Sequence, residues 1–183
     1  MMAFVLKILI IDDDKVDSTT ISRSISQSGI IAEVDSVFSA KEGIEMIKSL
    51  KYDLIFLDYL MPDTDGISFL KKIRDLDIET PFIFVTSQGD EKIASQAILS
   101  GASDYIPKTL LTPDGVSQSI RNTIKLNESL KLRKATELEL KVNSNRLLEA
   151  QKLAKIGSWE INLFNDEFYF SDEFFAIFEV ERE

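Results

Sequence analysis

The stretch "LIFLDYLMPDTDG", residues 54–66, decides how this chain folds. Four apolar residues, Leu54 to Leu57, run without alternation into a carboxylate, Asp58. A short continuous apolar run is what a strand buried on both faces requires, and such strands belong to parallel sheets covered by helices. An acid at the tip of that strand is costly unless it is paired or works on something. Beyond it, Pro62 and Asp65-Gly66 form a turn and open the next element.

Working outward, the same kind of run recurs. "VLKILII" (5–11), "IAEVDSV" (31–37), "FIFVTS" (82–87) and "SDYI" (103–106) join "DLIFL" (53–57) as five expected strands. Between them the apolar spacing turns helical. Ile21 and Ile25 share a face, as do Ala40, Ile44 and Ile47, then Phe69 and Ile73, then Ile93 and Ala97. Turn signals at Ser28-Gly29, Asp65-Gly66, Thr80-Pro81 and Ser100-Gly101 separate the pieces. Strands alternating with helices predict an α/β domain, doubly wound around a five-stranded parallel sheet. In such sheets the working site lies beyond the carboxyl ends of the strands.

Composition narrows the chemistry. The chain has 183 residues and a net charge of -10, so a basic footprint for nucleic acid is missing. It has neither cysteine nor histidine, which removes disulfides, thiolate metal sites and the commonest general base. The apolar start "MMAFVLKILIIDDD" meets acids too early for a signal peptide or a membrane span, and the expectation is a soluble cytoplasmic protein.

The strand ends carry the polar residues. Strand one ends in Asp12-Asp13-Asp14, strand three in Asp58, strand four in Thr86-Ser87, and Lys108 follows strand five. A parallel sheet brings these ends to one edge. Asp14 and Asp63 read as turn formers or helix caps. The remaining carboxylates repel and raise one another's pKa unless a cation sits among them. A hard dication such as Mg²⁺, which takes one or two carboxylates plus phosphate oxygens and water, meets that need. Lys108 adds a point charge for a phosphoryl group and Thr86 a hydroxyl. The expected site is one for phosphoryl transfer to a carboxylate nucleophile.

Residues 5 to about 125 resemble the receiver domain of two-component response regulators. "KILIIDDD" resembles the first strand with its acidic pair, "LIFLDYLMPDTDG" the phosphoacceptor strand and loop, "FIFVTSQGDE" the strand with the switch Thr, and "GASDYIPKTL" the strand with the switch aromatic and the site Lys. The resemblance implies a flavodoxin-like strand order of 2-1-3-4-5, with Asp58 as phosphoacceptor and Lys108 bonding the phosphoryl group. It implies Asp13, Asp58 and the Leu60 carbonyl as Mg²⁺ ligands, Asp12 acting through water, and Thr86 and Tyr105 as the switch pair. A histidine kinase or phosphotransfer protein is the implied partner and phosphodonor. Leu60 and Gln88 flank the implied path of the water that hydrolyses the product. The fragment itself is expected to be no enzyme beyond assisting its own phosphorylation and dephosphorylation.

Two rival classes make different demands. An aspartate-nucleophile phosphatase wants a second Asp two residues after the nucleophile, and Leu60 stands there. A receiver-like interaction module that is never phosphorylated lacks one of the site residues, and all are present here.

After "TPDG" (112–115) no glycine or proline appears until Gly157. Thr112 can cap a helix, and Pro113 suits its first turn. Residues 116–156, if one helix, would extend roughly 60 Å. Val116 and Ile120 can dock on the sheet. Leu126, Leu140 and Leu147 share a heptad column that Arg133 interrupts, and Leu130 lies in another that Glu137 interrupts. A weak coiled coil giving a homodimer is expected, with 1–122 as receiver and 123–155 as helical linker. The last stretch, "IGSWEINLFNDEFYFSDEFFAIFEV", is aromatic-rich and reads as two short strands around Asn165-Asp166, then a helix from Asp172. It resembles the opening of a PAS sensor domain through Ile156-Gly157-Ser158-Trp159-Glu160, Ser171-Asp172-Glu173 and Ile177-Phe178, so 156–183 is expected to be a truncated PAS-like α+β start. A receiver followed by PAS suits a sensory hybrid histidine kinase or a regulator with an enzymatic output. No DNA-binding helix pair follows the receiver.

Overall fold

A computed structural model describes residues 5–87 and 91–179. It divides into two compact units, Met1–Ser129 and Leu130–Glu183. In the first, β1 (Leu6–Ile11), β2 (Ala32–Val37), β3 (Leu54–Asp58), β4 (Phe82–Thr86) and β5 (Asp104–Pro107) form one sheet in the order β2-β1-β3-β4-β5, every pair parallel. The helices between them are α1 (Lys15–Gln27), α2 (Ala40–Ser49), α3 (Gly66–Arg74) and α4 (Glu91–Leu99). The expected fold class and strand order are observed, and each strand lies within a residue of its expected bounds.

The unalternating strands bury both faces. Leu9, Ile11, Ile55, Leu57, Phe82 and Phe84 pack with Ala40 and Ile47 of α2, Phe69, Leu70 and Ile73 of α3, and Ala97 of α4. Their neighbours Ile8, Ile10, Leu54, Phe56, Ile83 and Val85 pack with Ile21 and Ile25 of α1 and with Val116 and Ile120. The period of two within each strand thus sorts one apolar run onto two helical layers. At roughly 1.5–3 kcal/mol per buried large aliphatic or aromatic side chain, these two clusters supply the main drive for folding.

Capping residues start the helices where the site needs them. Asp14 accepts from the Val16 N–H (2.7 Å) and opens α1; Asp65 accepts from the Ser68 N–H (2.8 Å) and opens α3. The Asp65 carboxyl is held below its usual pKa, first by that backbone hydrogen bond and then by the Ser68 hydroxyl. At Gly66, an added Cβ would meet the Asp58 carbonyl oxygen at 2.8 Å and overlap the Phe84 ring, so only glycine lets α3 begin this close to the strand.

The long helix α5 (Pro113–Ala154) is continuous as expected, with the Thr112 hydroxyl accepting from the Gly115 N–H at 3.2 Å. Its docking on the sheet extends beyond Val116 and Ile120, because Thr123 is buried and Ile124 packs on the α1-side cluster. In the second unit β6 (Trp159–Asn162) and β7 (Glu167–Phe170) pair antiparallel, and α6 (Asp172–Phe178) follows. Ser171 caps α6 and also accepts from the Ser158 N–H (2.9 Å). Gly157 lies against the α6 backbone, where a Cβ would stand 2.7 Å from the Phe174 Cα. No described helix is long and apolar enough to cross a membrane.

Candidate functional site

The sheet register assembles the site. Ile11 pairs with Leu57, so Asp12, one residue on, arrives beside Asp58. Asp58 pairs with Val85, so Thr86 stands one step beyond it. Thr86 pairs with Pro107, and Lys108 follows at once, opening a 3-10 turn (Lys108–Leu110). Four strand ends therefore deliver Asp12, Asp58, Thr86 and Lys108 to one edge. Asp12, Asp58 and Thr86 are buried and Asp13 is exposed.

The charges converge. Lys108 Nζ lies 3.2 Å from Asp12 Oδ2, 3.2 Å from Asp58 Oδ1 and 2.6 Å from Asp17 Oδ2. Carboxylate oxygens of Asp12, Asp13 and Asp58 all fall within 4.8 Å of one another. Burial raises the Asp58 carboxyl to about 6, helped by the neighbouring Asp12 charge and opposed by Lys108. Asp12 is raised as well, again first by burial, with the Asp14 N–H bonded to its Oδ1 (2.9 Å) pulling the other way. For Lys108 burial favours the neutral amine, but the hydrogen bond to Asp17 and the charges of Asp58 and Asp12 outweigh it and hold the ammonium charged.

This donor set fits a small hard dication. Asp12 Oδ2 is buried without a hydrogen-bond donor, its approach to Lys108 being an ion pair without hydrogen-bond geometry. Three oxygen-bearing carboxylates and no nitrogen or sulfur ligand is the pattern that Mg²⁺ prefers. The acids repel one another, and one lysine leaves the cluster with net negative charge.

The remaining expected residues lie around this core. Leu60 sits in the loop after β3, an exposed residue whose backbone bridges to Asp65. Tyr105 is half-buried in β5 and packs on the cluster formed with α2, α3 and α4. Gln88 lies outside the described residues. Asp14 serves as the α1 cap, as expected. The residue that sequence reasoning missed is Asp17, the nearest acid to Lys108. Its place three residues after the Asp14 cap puts it in the first turn of α1.

The family model for the response regulator receiver domain matches residues 8–121. Among curated relatives, the transcriptional regulatory protein DltR of Streptococcus agalactiae is 33% identical over 103 residues, 56% of this chain and 45% of its own length. The protein-glutamate methylesterase/protein-glutamine glutaminase 2 of Methanosarcina mazei is 32% identical over 123 residues, 66% of this chain and 32% of its own. This chain thus spans less than half the length of either relative. Among solved structures, the Francisella response regulator 1452 receiver domain superposes with a TM-score of 0.59 at 30% identity, covering 66% of this chain and 97% of that one. A two-component response regulator from Clostridium difficile does so with a TM-score of 0.59 at 31% identity, covering 66% and 96%.

Proposed function

The chain belongs to the family of response regulator receiver domains, and from that premise we propose how its own residues carry out phosphorylation-dependent signalling. Asp58 is the phosphoacceptor. Its carboxylate oxygen attacks the phosphorus of a phosphohistidine on a kinase or phosphotransfer protein. An O–P bond forms, the donor's N–P bond breaks, and the imidazole leaves with the electron pair. Lys108 holds charge on the transferring oxygens. The observation that carries this reading is the placement of Lys108 Nζ 3.2 Å from both Asp58 and the deeply buried Asp12.

Asp13, Asp58 and the Leu60 carbonyl would hold Mg²⁺, with Asp12 acting through water. When bound, the ion neutralises charge on the phosphoryl group and on the carboxylates around it. Asp58 bearing a dianion draws the buried Thr86 hydroxyl, and Tyr105 turns inward, a two-position element of the kind a phosphorylation switch needs. Incubation with acetyl phosphate and Mg²⁺, read by intact mass, tests the assignment. A phosphoryl adduct is expected in the native chain, absent in Asp58→Asn and absent with a chelator. An adduct that persists in Asp58→Asn would overturn it.

We further infer three functional parts: receiver 1–122, helical linker 123–155 and the opening of a PAS module at 156–183. The linker carries exposed leucines at 126, 130, 140 and 147, which supports a homodimer through this helix. The tail's antiparallel strands and capped helix expose Trp159, Phe168 and Phe178 together, more apolar surface than so short a piece can cover. Hydrogen exchange tests the PAS reading. Amides 158–178 should gain protection when the chain is extended by about a hundred residues, a typical domain length. Strong protection already in a monomer of these residues would overturn it. A cytoplasmic location, with the kinase as partner, goes with this reading.

A further inference from the structure

Lys108 faces three carboxylates, and they are unequal. An ammonium carries three N–H donors and no acceptor. Its approaches to Asp12 and Asp58 are 3.2 Å, longer than the usual range for a charge-assisted hydrogen bond, whereas Asp17 Oδ2 lies at 2.6 Å. Asp17 belongs to the first turn of α1, in a helix whose start is fixed by Asp14, and it is separated from Lys108 by 91 residues of sequence. It stands outside the group of carboxylates that could share a metal, which comprises Asp12, Asp13 and Asp58. Its partner Lys108 is mostly buried, while Asp17 is partly open to solvent.

We propose that Asp17 is a positioning residue that parks the Lys108 ammonium toward α1 and thereby favours the unphosphorylated state; the inference rests on Asp58 being the phosphoacceptor. A phosphoryl group on Asp58 needs the strongest hydrogen bond that Lys108 can give. Closing in on it from the 3.2 Å approach to Asp58 competes with the 2.6 Å bond to Asp17 that holds the ammonium toward α1. Asp17 therefore sets a threshold that the phosphodonor must exceed. A merely structural Asp in the first turn of a helix would interact with the helix dipole, changing stability without touching the affinity for a phosphoryl group.

The test is a calorimetric titration with beryllofluoride, a phosphoryl mimic, at saturating Mg²⁺. Asp17→Asn should bind it roughly five- to tenfold more tightly, the scale of one hydrogen bond between charged groups after the lysine recovers part of it elsewhere. Asp17→Glu, which keeps the charge, should stay near the native value. In a Lys108→Met background the gain from Asp17→Asn should fall below twofold, because the residue works through the lysine. Unfolding curves confirm that each variant folds. Equal or weaker binding in Asp17→Asn overturns the proposal, and so does a gain that survives undiminished in Lys108→Met. A native chain that takes up no beryllofluoride would instead overturn the phosphoacceptor assignment, and the Asp17 proposal with it.

Discussion

Replacing Asp58 by Asn should stabilise the protein when no divalent cation is present. The Asp58 carboxyl sits at about 6 in the folded protein, against an ordinary value of 3.8, because burial and the Asp12 charge disfavour its ionised form more than Lys108 favours it. A rise of about two units corresponds to ~3 kcal/mol of cost for holding the charge at neutral pH. The direction follows from linkage. The folded state binds the proton more tightly than the unfolded chain does, so stability is greatest below the unfolded value and is lost as pH rises through about 6. Asn carries no charge and keeps the shape. Lys108, left with Asp12 and Asp17, remains paired.

The gain should therefore be small near pH 4, develop as pH rises through about 6 and be complete by pH 7.5. For a domain of this size ~2–3 kcal/mol corresponds to a melting shift of roughly 5–12 °C. Urea and thermal unfolding followed by circular dichroism in EDTA, at several pH values, measures it. Saturating Mg²⁺ should raise the native protein more than the variant and narrow the gap, since the ion adds positive charge where the acids crowd. An Asn variant no more stable than native at pH 7.5 in EDTA would refute the reasoning. So would a gain of equal size at pH 4.5, which would point to packing and not charge.

Other consequences are simpler to state. Leu60 gives a hydrolytic water no hydrogen bond, so Leu60→Asn should shorten the lifetime of the phosphorylated protein several-fold, read by loss of the phosphoryl mass. Gly66→Ala should cost about 2 kcal/mol or more in urea unfolding, because the new Cβ meets the Asp58 carbonyl oxygen at 2.8 Å and that backbone is fixed by the sheet; unchanged stability would contradict the packing described. Light scattering should give a dimer for the full chain and a monomer for residues 1–122, whereas monomers in both cases would leave the exposed leucines of α5 as a solvated face.

Some of this was written plainly in the residues. The unalternating runs of β3 and β4 could be satisfied only by burial on two faces, and the helical spacing of Ile21 and Ile25, or of Phe69 and Ile73, supplied the covers. Parallel strands of matched register then had to bring their last residues to one edge, so Asp12, Asp58, Thr86 and Lys108 were legible before any coordinate was known. The Thr112 cap and unbroken α5 were legible for the same local reason, a start signal with no stop signal after it.

Asp17 was not legible in this way. It sits on a helix, where a side chain's direction depends on the phase set by the cap, and the Asp14 cap fixes that phase by accepting from the Val16 N–H with its side chain and from the Ser18 N–H with its carbonyl. Shift the start of α1 by one residue and Asp17 turns by about 100° around the helix, since 3.6 residues make one turn. A strand end tolerates no such freedom, because its register is fixed by hydrogen bonding to the neighbouring strand or strands. The site thus has two kinds of residue: those that the sheet places, and one that a helix cap aims. The first kind follows from pattern alone. The second needs the cap, the phase and the far end of β5 together, and it is also the kind that can be altered without disturbing the strands that hold Asp58 in place.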